Sequence, residues 1–249
     1  MSALYDDPAF FSAYAAMPRS RLGLAGAPEW HALHALLPEA RGLDVLDLGC
    51  GYGWHAAHFA REGARRVLAL DASKRMLERA RTENADPRIE YEPCDLNDPE
   101  AVKALPGRGP FDLVLASLVI HYLDDYPGLV RVVHNTLRPG GTFAFNVEHP
   151  VFTAQGSQDW IYGPGGEIEY FPVDRYTFEG PRETNFLGNR VRKVHRTLGT
   201  YLQTLLDAGF VLRNVVEPKP LPEAVAADPR LADELRRPMM LLVRADKPA

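Results

Sequence analysis

The sequence predicts an α/β fold, one mostly parallel sheet covered by helices on both faces. Three observations carry this expectation. Between residues 43 and 147, short apolar runs (DVLDL, RVLAL, IEYEP, FDLVLAS, TFAFNV) alternate with helix-length stretches, the pattern of right-handed βαβ units. The first run opens directly onto a glycine-rich turn, LGCGYG, followed by a helix. The chain has 249 residues, 46% hydrophobic and 24% charged, enough for one sizeable core but cramped for two.

The elements follow in order. Residues 1–40 read as helical and irregular, broken by Pro18, Pro28 and Pro38, with Trp30, Leu33, Leu36 and Leu37 at helical spacing. Helices are expected at 54–62, 74–83, 99–105 and 126–137, the last closed by Pro139-Gly140-Gly141. Residues 150–192 break the rhythm. They are rich in Gly, Pro and aromatics (Phe152, Trp160, Tyr162, Tyr170, Phe171, Tyr176, Phe178), and an insert that long in a compact domain is usually functional. A helix over 197–208, ended by Gly209, then leads to two closing strands, FVLRNVV and MMLLVRA, expected to pair as a hairpin-like edge.

Composition narrows the function classes. A formal charge of −5 leaves no excess of cations for phosphate contacts, so DNA and RNA are disfavoured as substrates. No run of about 18 apolar residues spans a bilayer. The start, MSALYDDPAFFSAY, carries acids and aromatics where a signal peptide needs a basic and then apolar stretch. A cytoplasmic protein, monomer or homodimer, with no membrane partner is expected. Cys50 and Cys94 lie in different motif segments and imply no disulfide framework; Cys94 reads as a small buried side chain. The pairs His31/His34 and His55/His58 lack a clear third ligand, so no metal is expected.

In DVLDLGCGYGWHA the strand ends in Gly49, Gly51 and Gly53 before a helix begins. Glycines let the backbone turn tightly and approach a ligand, and free N–H groups at the helix start face it. A nucleotide-like cofactor fits, although dinucleotide-binding folds use a similar turn of wider spacing, met here only if Ala56 replaces the third glycine. Asp71 ends the second run about 20 residues further on, where a carboxylate can accept two ribose hydroxyls. Asp71 and Asp95 could instead cap the helices that follow them.

Asp47 in the loop strand, the segment Glu92-Pro93-Cys94-Asp95-Leu96 and the run FDLVLASLVIHYLDD separate the possibilities. With them, the chain resembles the class I S-adenosylmethionine-dependent methyltransferases, in particular their small-molecule, type 11-like branch, over roughly residues 40–147. The resemblance implies a Rossmann-like seven-stranded sheet of order 3-2-1-4-5-7-6 with the last inserted strand antiparallel. It also implies an N-terminal helical cap (1–40), a cofactor-binding core (41–149), an acceptor-pocket insert (150–195) and a C-terminal helix with edge strands (196–249), all in one domain. By the same resemblance Gly49 and Gly51 pass beneath the methionine portion, and Asp47 anchors the loop or the ligand amine. Asp71 holds the ribose, Ala72 and Met76 pack near the adenine, Asp95 bonds its amino group and Leu96 covers the ring. Ser117 and Leu118 serve the methionine amine, while Tyr14, Arg19 and Arg21 close over the cofactor carboxylate. The product is S-adenosylhomocysteine.

Methyl transfer from a sulfonium is an in-line displacement, so alignment and exclusion of water matter most. Where the acceptor must lose a proton, histidine is the natural base. His149, after the fifth strand in FNVEHPVF, is the first candidate, with Glu148 beside it to orient the imidazole or to recognise a cationic acceptor. His121 and His195 are the others, and each could equally make only a structural hydrogen bond. Trp160 and Tyr162 are the favoured acceptor-pocket aromatics, unless the insert's aromatics form a small satellite core. An NAD(P)-dependent oxidoreductase would need a Tyr-x-x-x-Lys or comparable group, and the sequence has no Tyr-x-x-x-Lys. A non-catalytic cofactor-binding protein of the same fold would show a damaged glycine and aspartate set, which is intact here.

Overall fold

The computed structural model describes residues 2–249, with side chains from Leu4 onward; Met1, the first residue of the expected cap, lies outside the described residues. The strands are β1 (Asp44–Leu48), β2 (Arg66–Asp71), β3 (Ile89–Pro93), β4 (Phe111–Ser117), β5 (Leu137–Glu148), β6 (Ile161–Tyr162), β7 (Ile168–Tyr170), β8 (Gly180–Phe186), β9 (Asn189–His195), β10 (Val211–Val216) and β11 (Met240–Asp246). Seven of them form the central sheet in the order β3-β2-β1-β4-β5-β11-β10. The pairs β2–β3, β1–β2, β1–β4 and β4–β5 are parallel, whereas β11 runs antiparallel to both β5 and β10. Counting sheet strands alone, this is the expected 3-2-1-4-5-7-6.

Side chains alternate between the two sheet faces, and each face is buried. Leu46, Leu48, Leu68, Leu70, Val114, Ala116, Phe143 and Phe145 share one core. Val45, Val67, Ala69, Leu113, Leu115 and Ala144 share the other. Burial on both sides is why these runs read as continuously apolar rather than alternating.

The helices are α1 (Ser2–Asp6), α2 (Pro8–Ala15), α3 (Pro18–Leu22), α4 (Trp30–Leu36), α5 (Trp54–Arg61), α6 (Lys74–Glu83), α7 (Pro99–Lys103), α8 (Tyr126–Thr136), α9 (Pro150–Thr153), α10 (Leu198–Asp207) and α11 (Pro222–Ala227). Leu33 and Leu36 of α4, Phe59 of α5 and Leu77 of α6 cover one face. Leu129, Val130 and Val133 of α8 and Tyr201 and Leu205 of α10 cover the other. Caps fix the starts: the Ser73 hydroxyl accepts from Met76 N–H at α6, and the Asp125 carboxylate from Gly128 N–H at α8.

Two details depart from the sequence reading. Pro139-Gly140-Gly141 does not precede the fifth strand but lies inside it. Pairing begins at Leu137 opposite Phe111 and resumes at Thr142 opposite Leu113, so the Pro-Gly-Gly stretch bulges. Lys247 secures the bulge, its N–H donating to Gly141 O (2.8 Å) and its Nζ to His134 O and Leu137 O (both 2.8 Å). The insert, expected to be irregular, holds two antiparallel hairpins, β6–β7 and β8–β9. The second packs Val191, Phe186 and Leu187 against Phe10, Tyr5 and Tyr14 of the N-terminal helices and against Tyr122. N-terminal helices and insert therefore meet above the carboxyl ends of the strands. No helix among the described residues is long and apolar enough to cross a membrane.

Candidate active site

The sheet order reverses between β1 and β4, and in open α/β sheets the crevice beyond the carboxyl ends at such a switch is where ligands bind. A cavity of about 450 Å³ opens there, roofed by the N-terminal helices and the insert.

Its floor is the glycine loop. Gly49 has φ +73°, and a Cβ there would lie 2.7 Å from Val119 Cβ, so a side chain is excluded twice over. Gly51 has φ +53° and its missing Cβ would meet nothing within 4 Å, leaving open space beside the backbone. Asp71 ties the loop to the next helix: Gly51 N–H donates to its Oδ2 (2.9 Å) and Ser73 N–H to its Oδ1 (2.8 Å). Ser73, not Asp71, caps α6, and Asp98, not Asp95, caps α7. Each Asp71 oxygen therefore keeps a lone pair for a ligand donor. Burial pushes the Asp71 carboxyl up, tempered by those N–H donors. Asp95 also lines the cavity, one oxygen accepting from Asn97 N–H (2.9 Å). Ala72, Met76 and Leu96 complete this wall.

At the opposite end, Arg19 pairs with buried Glu29 (3.1 Å), and Asn146 Nδ2 donates to Glu29 (3.4 Å). Tyr14 lines the same corner, its hydroxyl pushed up to about 12 by burial. Ser117 and Leu118 follow from the end of β4. Leu118 has φ +54°, a left-handed conformation that a leucine adopts only when its surroundings impose it, and its N–H is held by Asn146 O (2.9 Å).

The far side holds a polar network, with Ser157, Asp159 and Asn185 also lining it, between apolar walls. Lys193, on β9 and 3% exposed, donates to Glu148 Oε1 (2.5 Å) and Gln158 Oε1 (3.1 Å). Gln158 Nε2 donates to Glu148 Oε2 (2.7 Å), and Thr184 Oγ1 to Gln158 Oε1 (2.9 Å). Burial would raise the Glu148 carboxyl, but His121, Lys193 and the hydrogen bonds from Lys193 and Gln158 hold it below the usual glutamate range. His121 receives Glu148 N–H on Nδ1 (3.4 Å), and burial pushes it down to about 4. It is neutral near pH 7, with its proton on Nε2. Tyr5, Tyr122, Phe152, Phe186, Met239 and Met240 form the apolar walls.

The structure brings most of the residues singled out from the sequence to this one cavity: Tyr14, Arg19, Gly49, Gly51, Asp71, Ala72, Met76, Asp95, Leu96, Ser117, Leu118 and His121. Others lie elsewhere. Asp47 is fully buried beneath the loop and does not line the cavity; its two oxygens have no hydrogen-bond partner. Burial and the nearby Asp71 push it up to about 7, with the Ala56 N–H acting in the opposite direction. His149 caps α9, accepting Val151 N–H on Nδ1 (3.0 Å), with Nε2 2.9 Å from Glu217 but out of line for a hydrogen bond. His195 has both ring nitrogens engaged, by Thr153 Oγ1 (2.8 Å) and Tyr176 O (2.9 Å). Trp160 lies under Arg236 and Arg237, and Tyr162 is exposed, so the insert contributes Phe152, Gln158 and Phe186 to the cavity instead. Arg21 is outside it. Lys193 is the main residue the sequence reading missed. Its signal was present: in NRVRKVH, Val191, Lys193 and His195 share one face of the strand at period two, placing a lysine among buried positions.

The comparisons with known proteins converge. A family model for a methyltransferase domain matches residues 45–141. An S-adenosylmethionine-dependent methyltransferase from Mesorhizobium loti superposes with a TM-score of 0.80 at 44% identity, over 90% of this chain and 100% of that one. A Listeria monocytogenes structure assigned to the same enzymes superposes at 0.80 and 43% identity, over 91% and 100%. Trans-aconitate 2-methyltransferase of Deinococcus radiodurans is 34% identical over 116 residues, 46% of this chain and 42% of that enzyme.

Proposed function

Since this chain belongs to the class I S-adenosylmethionine-dependent methyltransferases, we propose that one cavity holds both its cofactor and its small-molecule acceptor. The methyltransferase activity is the family's; the assignment of residues is ours, and the paired lone-pair sites of Asp71 beside the open backbone of Gly51 carry it.

The residues present fit the cofactor's chemistry. Asp71 has acceptors for a ribose diol, and Asp95 has a free oxygen for an adenine amine beside Leu96 and Met76. Arg19 would receive a carboxylate, with Tyr14 beside it, and the turn at Ser117 and Leu118 offers carbonyls to an ammonium. Asp47 would act on the loop from below rather than touch the ligand. When bound, S-adenosylmethionine supplies a methyl group on a sulfonium, and the electron pair of the broken carbon–sulfur bond stays with sulfur as an acceptor lone pair bonds the carbon.

The protein's own task is alignment and dehydration. Residues 1–40 act as a cap, 41–149 as the cofactor core, 150–195 as the acceptor wall and 196–249 as the closing edge of a single domain. His121, neutral and with its proton on Nε2, would donate a hydrogen bond to the acceptor rather than take a proton from it. The likeness to a trans-aconitate methyltransferase supports a small-molecule acceptor, and the net charge of −5 disfavours nucleic acid.

Calorimetric titration with S-adenosylmethionine, S-adenosylhomocysteine and NAD tests this reading. Micromolar binding of both adenosyl ligands is expected, weakened at least about tenfold by Asp71→Ala through loss of two charge-assisted hydrogen bonds. Binding of NAD alone, or an Asp71→Ala protein that binds as tightly as the parent, would overturn it.

A further inference from the structure

We propose that the acceptor is a small carboxylic acid with an apolar body, entering already ionised, and that Lys193 is the residue that selects it. This rests on the cavity being the methyltransferase site.

The first argument is geometric. An ammonium has three donors. Lys193 spends one on Glu148 and one on Gln158; the residue lines the cavity, and its Nζ lies 5.4 Å from the centroid of the Phe186 ring, another cavity residue. The adjacent Glu148 carboxylate supplies the counter-charge, and Gln158 fixes the direction. Gln158 itself has φ +59°, a left-handed conformation rare outside glycine, while bridging Glu148, Lys193 and Thr184. A strained residue at the centre of a buried network, with one donor left over at a cavity wall, is a prepared anchor for an oxygen anion.

The cavity also holds no free base buried away from solvent beside the acceptor wall. Phenols, thiols and amines enter near pH 7 mostly protonated and must lose a proton before or during attack. Of the cavity's acids and imidazoles, Glu148 has both oxygens engaged and Glu29 is paired with Arg19. Burial pushes His55 down to about 3 and His121 to about 4, too weakly basic to take a proton near pH 7, and His121 uses Nδ1 for the Glu148 N–H. Asp71 and Asp95 belong to the cofactor wall, and Asp159 is exposed. A carboxylate needs none of them. Its oxygen lone pair forms the new O–C bond, no proton moves, and the product is a methyl ester. Phe152, Phe186, Met239 and Met240 would enclose the rest of the molecule.

The test is acceptor binding, not turnover. Wild type, Lys193→Met, Lys193→Arg and the charge-free pair Lys193→Met/Glu148→Gln are each titrated with S-adenosylhomocysteine. Each loaded protein is then titrated with hexanoate, benzoate and phenylpropanoate and with their matching amides. Wild type should bind at least one acid roughly tenfold more tightly than its amide. Lys193→Arg should keep most of that preference, and Lys193→Met should lose it. If the single variant does not fold, the double variant removes the charge without leaving Glu148 unpaired, and the same loss is expected. Equal binding of acids and amides, no binding of any acid, or a preference that survives removal of Lys193 overturns the inference while retained S-adenosylhomocysteine binding leaves the cofactor site standing. A wild-type protein that fails to bind S-adenosylhomocysteine overturns both.

Discussion

The two halves of the cavity are built differently. The half proposed for the cofactor lies on consecutive βαβ units: Gly49, Gly51, Asp71, Asp95 and Ser117 all sit at or just beyond carboxyl ends of neighbouring parallel strands. The acceptor half is assembled from parts distant in the chain, with Tyr5 from α1, His121 and Tyr122 after β4, Glu148 from β5, Gln158 from the insert and Lys193 from β9. One half is held by the sheet, and the other largely by a single buried network. The first should tolerate little change in backbone shape and the second little change in charge.

The largest effect expected falls on the acceptor half. Lys193→Met leaves the Glu148 carboxylate, 15% exposed, with its Gln158 hydrogen bond but no counter-charge, and breaking so largely buried a pair costs about 3 kcal/mol. Adding Glu148→Gln should restore most of that loss in thermal or denaturant unfolding. If the double variant is no more stable than the single one, the ion pair is not what holds this half together.

Next comes the cofactor half. Gly49→Ala places a Cβ against Val119 at φ +73°, so a loss of about 2–3 kcal/mol is expected from strain and overpacking. S-adenosylhomocysteine affinity should fall in the same titration. A stable variant with parental affinity would show the loop to be more pliable than the sheet-held half requires.

Asp47 offers a pH test of the same half. Its folded-state value of about 7 lies above the usual 3.8, so the folded state binds the proton more tightly than the unfolded one. Stability contributed by protonated Asp47 is present at low pH and is lost as pH rises through about 7. Between about pH 6 and about pH 8 the free wild-type protein should lose about 1 kcal/mol relative to Asp47→Asn. Parallel pH profiles would mean that Asp47 is ionised and satisfied throughout.

The smallest effect belongs to His149, outside both halves. Its ring caps the short helix α9 through Val151 N–H, and His149→Ala should cost about 1 kcal/mol of stability. Cofactor and acceptor binding should not change. A large loss of acceptor binding would return it to the reaction.

The sequence by itself determined the alternating strands and helices, because parallel strands buried on both faces produce short continuous apolar runs, and it placed the glycines and aspartates at the ends of those runs; the order of the strands came from the resemblance to the methyltransferases. Asp71 and Asp95 were readable as cavity residues because they lie at or just beyond the ends of β2 and β3. Only the tertiary structure decided the acceptor half. His149, His195 and Trp160 looked suitable by type and by place in the chain, yet the first two rings are spent on local structure and the indole on arginine contacts. Lys193 gave one local sign, its place on the inward face of a strand, but that could not reveal its partners, since Glu148 and Gln158 lie 45 and 35 residues away. Periodicity reports which face a residue is on. Which residue from another element meets it there is set by packing.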